Sequence, residues 1–530
     1  MTDSGSEGRG GPTSVDRASD GVRLAELVGS LSLATDLATG QPLEHGLRRS
    51  LLAVWLGQDL GLGPGDLSDV FYVSLLGSVG CTLEATVLAK LSADDIAVGG
   101  KIATVDVGNP LEVASFGLRN FGAGEPPLRR VGKVVAGALA GPAEFQAVCR
   151  DTAVQVGDML DLGTSIKEAL AQCHERWNGR GGPRRLKGAD LHLAARVFHV
   201  AHDAEVFGRL GGAAAGVAIV RRREGNQYDP NVAHRFGAIG AGLFERLDQR
   251  PIWDALLAEE PPPFRWIAGE GLDALGEAIG RFVDLRSPFT LGHSTSVARL
   301  AEGGARTLGL SEPDATSIRR AGYLHDLGRM GVPIAVWNAT EGWSASDRER
   351  AMRHPSLTEL VLARSTTLGT LGTLAGLHHE RLDGSGFRAV PGSFQPVPAQ
   401  VLAAVDLYRT KTEPRPHRAA LTDNAAADVL RQEARAGRLD PEVVDAVRAA
   451  AGHLPRDAPP PDLPAGLSER ELEVMHLLAR GLSNREMAAT LFISPKTVDH
   501  HVQHIYDKIG VSTRVGATLF AIRHGLVVDP

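Results

Sequence analysis

Two runs of proline set the large-scale layout of this 530-residue chain: Pro261-Pro262-Pro263, and the stretch LPRDAPPPDLPAG at 454–466. Proline removes a backbone donor and fixes φ, so such runs stop helices and act as stiff spacers. They divide the chain into three segments, and its length predicts roughly three units that each bury their own core. Between the breaks, Ala, Leu, Arg and Glu recur at helical spacing, as in LAELVGSLSLATDL and EVVDAVRAAA, and apolar–polar alternation is scarce. That pattern predicts an all-α protein.

Composition narrows the setting. Residues 1–20 carry acids, glycines and serines with no apolar segment, so they read as a disordered tail and not as a signal peptide. No uncharged apolar run approaches the roughly 18 residues of a membrane span. Cys81, Cys149 and Cys173 are too few and scattered for a disulfide framework or a cysteine-based zinc site. The expectation is a cytoplasmic protein that does not engage membranes. A net charge of -7 argues against a surface that coats nucleic acid throughout, yet leaves room for a small DNA-reading module.

The first two segments repeat each other. His-Glu-Arg-Trp-Asn-Gly-Arg-Gly at 174–181 echoes His-Glu-Arg-Leu-Asp-Gly-Ser-Gly at 379–386, and LLGSVG at 75–80 echoes YLHDLG at 323–328. Ser78 to Cys149 spans 71 positions where Asp326 to His354 spans 28, so the first copy carries 43 extra residues within about 82–148. This Gly-rich insertion is expected to form a lid or a contact surface.

The second copy gathers His293, His325, Asp326, His354, His378, His379 and Asp406. Imidazole and carboxylate are the donors that divalent Fe, Mn, Zn or Ni accept, and aspartate is short enough to bridge two ions. Seven groups exceed the needs of one ion. Two ions about 3.5–4 Å apart would use them, and the reaction implied is hydrolysis of a phosphoester by an attacking hydroxide.

GHS at 292–294, HDLGRMGVP at 325–333, RHP at 353–355, HHERLDGSGF at 378–387 and VDLY at 405–408 resemble the HD superfamily of phosphohydrolases, in its HD-GYP branch. The resemblance covers about 265–453. It implies that His293, His325, Asp326 and Asp406 hold one metal and Asp326, His354, His378 and His379 the other. It further implies a catalytic role for Asp326 and Arg329, a substrate loop at Asp383, Gly384 and Gly386, and a cyclic dinucleotide, typically cyclic di-GMP, as substrate. Arg415 and Arg418, in RPHR after Asp406, are candidates to clamp a phosphate. The sequence departs from the family at three places: its lysine is Arg329, its Gly-Tyr-Pro signature reads Gly386-Phe387-Arg388, and the glutamate of trinuclear members is Phe289. The last favours two metals over three. In the first copy the equivalent positions read His45, Gly77-Ser78, Cys149, Cys173-His174 and His202, and Gly-Ser offers no charge to a divalent ion. That copy reads as structural, or as binding a regulatory ligand without cutting it. Cys149, Cys173, His174 and His45 are in principle donors for one soft ion, although buried cysteine commonly packs as a small hydrophobe.

Residues 467–526 are punctuated as four helices: Gly481 and Gly510 at helix ends, Ser483 and Ser494 at helix starts, Pro495 in a first turn. Met487, Leu491, Val498, Val502 and Ile505 would form the core of a two-helix unit near 483–510, with a turn at Phe492-Ile493. GLSNREMA, ISPKTVDHHV and GVSTR resemble the LuxR-type helix-turn-helix domain. The resemblance makes Pro495–Ile509 the recognition helix, puts Lys496, Thr497, Asp499, His500 and Gln503 against DNA, and makes Leu519 and Phe520 a dimer surface. Seven basic against six acidic residues in 467–526 leave this module nearly neutral, so useful binding calls for a homodimer on two half-sites. The expected architecture is a disordered 1–20, a degenerate HD-like domain at 21–260, a metal-binding HD domain at 264–453, a linker at 454–466 and the DNA reader at 467–530. The expected function is a transcriptional regulator whose HD module, with two divalent ions, senses or hydrolyses a nucleotide phosphodiester. The alternative is a non-catalytic receptor that keeps the metal pocket.

Overall fold

A computed structural model describes residues 21–452 apart from 93 and 124, together with 465, 467–491, 493–524 and 526. The expected N-terminal tail, nearly all of the linker at 454–466, and Phe492 of the expected turn lie outside the described residues. The protein is helical; among the described residues the one sheet is an antiparallel pair, Val22–Arg23 with Trp266–Ile267.

The internal repeat is realised in three dimensions. Each copy opens its first ligand-bearing helix from a left-handed residue, Glu44 (φ 74°) before His45–Asp59 and Gly292 (φ 80°) before His293–Thr307. A buried aspartate holds each helix start: Asp36 accepts from Gly46 N at 3.1 Å, and Asp284 from Ser294 N at 2.9 Å. Gly179 and Gly384 turn the matching loops at φ 75° and 76°. A Cβ on Gly80 would lie 2.0 Å from the Cys149 carbonyl, and one on Gly328 2.0 Å from that of His354, so both positions require glycine for the same close approach.

The first proline run stops a helix at Ala258 but does not separate two independent cores, in contrast to the sequence expectation. The chain doubles back, Leu24 N donates to Arg265 O at 2.8 Å, and Glu260 accepts from Arg23 Nε at 2.8 Å and Tyr72 OH at 2.9 Å. One apolar cluster runs through Leu24, Leu31 and Leu52 of the first copy and Ile279, Phe282 and Leu327 of the second. A smaller core, including Val297, Ile318 and Val405, belongs to the second copy alone.

The insertion forms the helices Cys81–Leu91, Asp95–Ile102 and Pro110–Asn120 and the first part of the long helix Pro127–Met159. It is a contact surface. Leu83 and Val148 bury Leu519 of the last helix, Arg150 Nη2 donates to Ser512 Oγ at 2.6 Å, and Asp151 accepts from Thr513 Oγ1 at 2.8 Å. The C-terminal unit comprises helices Glu469–Ala479, Asn484–Leu491, Pro495–Ile509 and Arg514–Arg523. Gly481 (φ 83°) and Gly510 (φ 71°) end helices as expected, and Met487, Val498, Val502 and Ile505 are core, with Leu491 packed against them. No described helix is long and apolar enough to cross a membrane.

Candidate metal centre

Five elements bring the seven donors together. His293 opens its helix, His325-Asp326 ends Glu312–Leu324, His354 opens His354–Leu362, His378-His379 follows Thr366–Ala375, and Asp406 lies within Val397–Thr412. The Asp326 carboxylate faces both ways. Its Oδ2 lies 3.9 Å from His293 Nε2 and 3.6 Å from His325 Nε2, while Oδ1 lies 3.3 Å from His354 Nε2 and 3.8 Å from His378 Nε2. Asp406 Oδ1 is 3.3 Å from His293 Nε2, and its Oδ2 3.3 Å from His379 Nδ1. Three of these six separations lie beyond hydrogen-bond reach, as suits donors arranged around ions.

Ring orientation supports the same use. His325, His354 and His378 each turn Nδ1 to a backbone carbonyl, of Gly322 (2.7 Å), Ala351 (2.6 Å) and Ala375 (2.7 Å), which leaves every Nε2 lone pair pointing inward. His293 Nδ1 is held by Glu413 Oε2 at 2.8 Å. His325 Nε2 and Asp406 Oδ2 are buried without a hydrogen-bond partner among the described residues, and a divalent ion fits that donor set.

The electrostatics agree. Burial alone would raise Asp326, but Arg329 and the neighbouring histidines hold it well below the carboxylate range, and Asp406 is held low against burial by His379 and His293. Burial pushes His379 down to about 3 and lowers His325 and His378, keeping these imidazoles in the neutral, ligating form. His293 is the exception: Glu413 and Asp406 outweigh burial and push it up to about 10.

A cavity of about 250 Å³ opens over the centre. Arg329 lines it, donating to Asp326 Oδ2 at 2.8 Å with its guanidinium over Trp337. Arg415 and Arg418 line it too, but Arg415 donates to Phe289 O at 2.6 Å and Glu413 Oε2 at 3.0 Å, and Arg418 to the backbone carbonyls of Lys411 and Glu413, so both brace the loop. Asp383, Gly384 and Gly386 are absent from the cavity lining. Asp383 accepts from Ser385 N at 2.9 Å, and Gly386 packs on Glu380, whose carboxylate takes the Arg388 and Val390 amides. Phe387 faces the site instead, its ring 4.3 Å from that of His379. Lys411, Trp337 and Glu413 escaped the sequence reading. Lys411 lies on the same helix as Asp406, five residues further on.

In the first copy a guanidinium stands where the ion-facing donors converge. Arg49 Nη1 lies 2.7 Å from Ser78 Oγ, 3.2 Å from His202 Nδ1 and 3.4 Å from His45 Nε2. Of the four donors suggested for a soft ion, His45 is engaged by Glu205 and Arg49, and Cys173, pushed up to about 12 by burial, turns to Ala169 O. Cys149 and His174 do meet, joined by Cys81.

On the helix Pro495–Ile509, Lys496, Thr497, Asp499, His500 and Gln503 are all exposed. Thr497 shares in the Ser494 cap, Asn484 donates to Asp499 at 3.0 Å, and Gln503 donates to Asp507 at 3.1 Å. Leu519 is buried against the insertion, and Phe520 is half-buried against its own domain.

Fold and site define a helical protein with an HD-type histidine–aspartate centre and a helix-turn-helix unit. Residues 147–232 and 277–443 match the family described as HD domain, and 465–521 match the bacterial regulatory proteins of the luxR family, so the chain is a tandem HD-domain protein fused to a LuxR-type domain. It is 28% identical over 449 residues, 82% of this chain and 95% of the relative, to the 3'3'-cGAMP-specific phosphodiesterase 3 of Vibrio cholerae. It is 32% identical over 180 residues to the cyclic di-GMP phosphodiesterase response regulator RpfG of Xanthomonas campestris, covering 33% of this chain and 47% of that one. The crystal structure of a cyclic GMP-AMP specific phosphodiesterase of V. cholerae (V-cGAP3) matches with a TM-score of 0.57 and 25% identity, over 82% of this chain and 99% of that chain.

Proposed function

We propose that the chain is a DNA-binding regulator whose second HD copy is a two-metal phosphodiesterase for a 3'3'-linked cyclic dinucleotide. The observation that carries this reading is the buried Asp326 carboxylate, with one oxygen turned to His293 and His325 and the other to His354 and His378. In this reading His293, His325, Asp326 and Asp406 hold one ion, and Asp326, His354, His378 and His379 the other, with Mn or Fe suiting the donors. Divalent ions there supply concentrated positive charge beside the phosphate and make water a competent nucleophile near neutral pH. Hydrolysis adds one water: phosphorus gains its oxygen, one ester P–O bond breaks, and the ribose oxygen leaves with a proton. Arg329 and Lys411 offer charge to the phosphate oxygens, and Trp337 and Phe387 offer faces for a base. The extended similarity to a cGAMP-specific relative supports the substrate class.

Purified protein with Mn or Fe is expected to open 3'3'-cGAMP or cyclic di-GMP to a linear dinucleotide, and His325→Ala and Asp326→Ala to lose that activity. Equal inertness of wild type and variants on these and on simple phosphodiesters overturns the enzymatic half. A second reading, a receptor that binds without cutting, is favoured by the Arg329 cation bound to the shared carboxylate. Tight nucleotide binding without product supports it, and turnover rejects it.

On the regulatory side, Lys496, Thr497, Asp499, His500 and Gln503 meet DNA, and a homodimer spans two half-sites. Leu519 is buried by Leu83 and Val148, so pairing through the last helix requires its release from the insertion. The nucleotide state of the HD copies acts by biasing that release.

A further inference from the structure

The first copy's remaining donors form a separate cluster. Cys81 Sγ lies 3.7 Å from Cys149 Sγ and 3.5 Å from His174 Nε2, and the three donor atoms all fall within 4.8 Å of one another. Tetrahedral zinc, with Zn–S bonds of about 2.3 Å and Zn–N bonds of about 2.0–2.1 Å, separates two sulfurs by about 3.7–3.8 Å and a sulfur from a nitrogen by about 3.6 Å. The Cys81–Cys149 and Cys81–His174 spacings are those of ligands around one ion. Thiols that merely pack need no such alignment with an imidazole nitrogen, and Cys173, turned to its own helix backbone, shows the packing alternative a few ångströms of chain away.

The cluster also occupies the place of a metal site. Gly80 presses on the Cys149 carbonyl as Gly328 presses on that of His354, which makes Cys149 the positional counterpart of His354, and the shared His-Glu-Arg motif makes His174 that of His379. Cys81 joins from the turn that carries Arg329 in the second copy. Two of the three donors are sulfur, which selects a softer ion. Arg49 already sits among Ser78, His202 and His45, so room remains for one ion and not two. Cys81 and His174 line a cavity of about 210 Å³, toward which a fourth position would open.

We propose that Cys81, Cys149 and His174 hold a single thiophilic divalent ion of the zinc class. The ion ties the insertion's first helix and its long helix to the loop after Cys173. Arg150 and Asp151, next to Cys149, hold Ser512 and Thr513 of the DNA-reading domain, so the ion also steadies the surface on which that domain docks.

The test uses cobalt(II) on the reduced, metal-stripped full-length protein. One equivalent is expected to give a near-ultraviolet thiolate-to-cobalt charge-transfer band that zinc displaces. Asp326→Ala, which disables the other centre, keeps the band, whereas Cys149→Ser loses it with the helical circular dichroism intact. An independent measurement needs no variant: zinc is expected to slow alkylation of Cys81 by about tenfold or more. Absence of the band in wild type, its survival in Cys149→Ser, or alkylation of Cys81 indifferent to zinc overturns the proposal.

Discussion

Glu413 shows how much of the centre rests on side chains that need not touch a metal. Its Oε2 takes the Nδ1 proton of His293, which fixes the ring with Nε2 toward Asp406 and Asp326. Outer-sphere partners of this kind are typically worth about 10–100-fold in metal affinity. Glu413→Gln keeps the shape but weakens the hold on the imidazole, so divalent-metal affinity, measured by competition with a chelating dye, is expected to fall by that factor with helix content unchanged. The seven donors were legible in the sequence because paired His-Asp and His-His residues in a fixed order carry information of their own. Glu413, Arg49 and Lys411 were not, because a lone charged residue on a helix or loop looks like any solvated charge until folding buries it. The loop at Asp383, Gly384 and Gly386 lies outside the lining of the cavity. Glycines at 384 and 386 serve a left-handed turn and a close approach to Glu380, so the motif reports loop geometry more than ligand contact.

Among the elements, the C-terminal helices were the most predictable, because their stops and caps are local. Ser468 and Glu471 form a capping box on the first of them, and Glu471 also accepts from Lys508 on the helix Pro495–Ile509 at 2.7 Å. Burial would raise the Glu471 carboxyl, but Lys508 and Ser468 outweigh it and hold it at about 2. Its folded value lies below its ordinary one, so the stability it contributes is present above about pH 4.5 and is lost as pH falls toward 2. Glu471→Gln is expected to flatten that acid limb in a chemical-denaturation series from pH 5 to 2.5. The insertion was legible only as a length difference; that it grips the last helix depends on tertiary packing. Truncating a buried leucine to alanine typically costs about 2–5 kcal/mol, so Leu83→Ala combined with Asp151→Ala is expected to free the reader. Faster hydrogen exchange over Arg514–Arg523 and tighter DNA binding by fluorescence anisotropy are the expected outcomes. Unchanged exchange and affinity would mean that the grip does not restrain the reader.

At the scale of the whole molecule, the decisive joint is the one that looked like a spacer. A proline run announces where a helix must stop, but says nothing about where the chain goes next. Here it returns to pair Trp266–Ile267 with Val22–Arg23 and to bury Glu260 between Arg23 and Tyr72. With one apolar cluster running through both copies, neither can loosen without exposing the other's core. A change at the second copy's metal centre therefore has a packed route to the insertion and to the helix it grips. Glu260 is 3% exposed and holds this seam by charge and hydrogen bonds, and removing one partner of such a buried pair costs about 3–5 kcal/mol, because the partner charge is stranded. If the copies are one cooperative unit, Glu260→Ala lowers a single calorimetric transition for both, with metal bound to the second copy raising that same transition through mass action. If they are independent, the substitution shifts only a first-copy transition, and metal shifts only a second. Scanning calorimetry with and without Mn distinguishes the two, and the shared core predicts the single, metal-responsive transition.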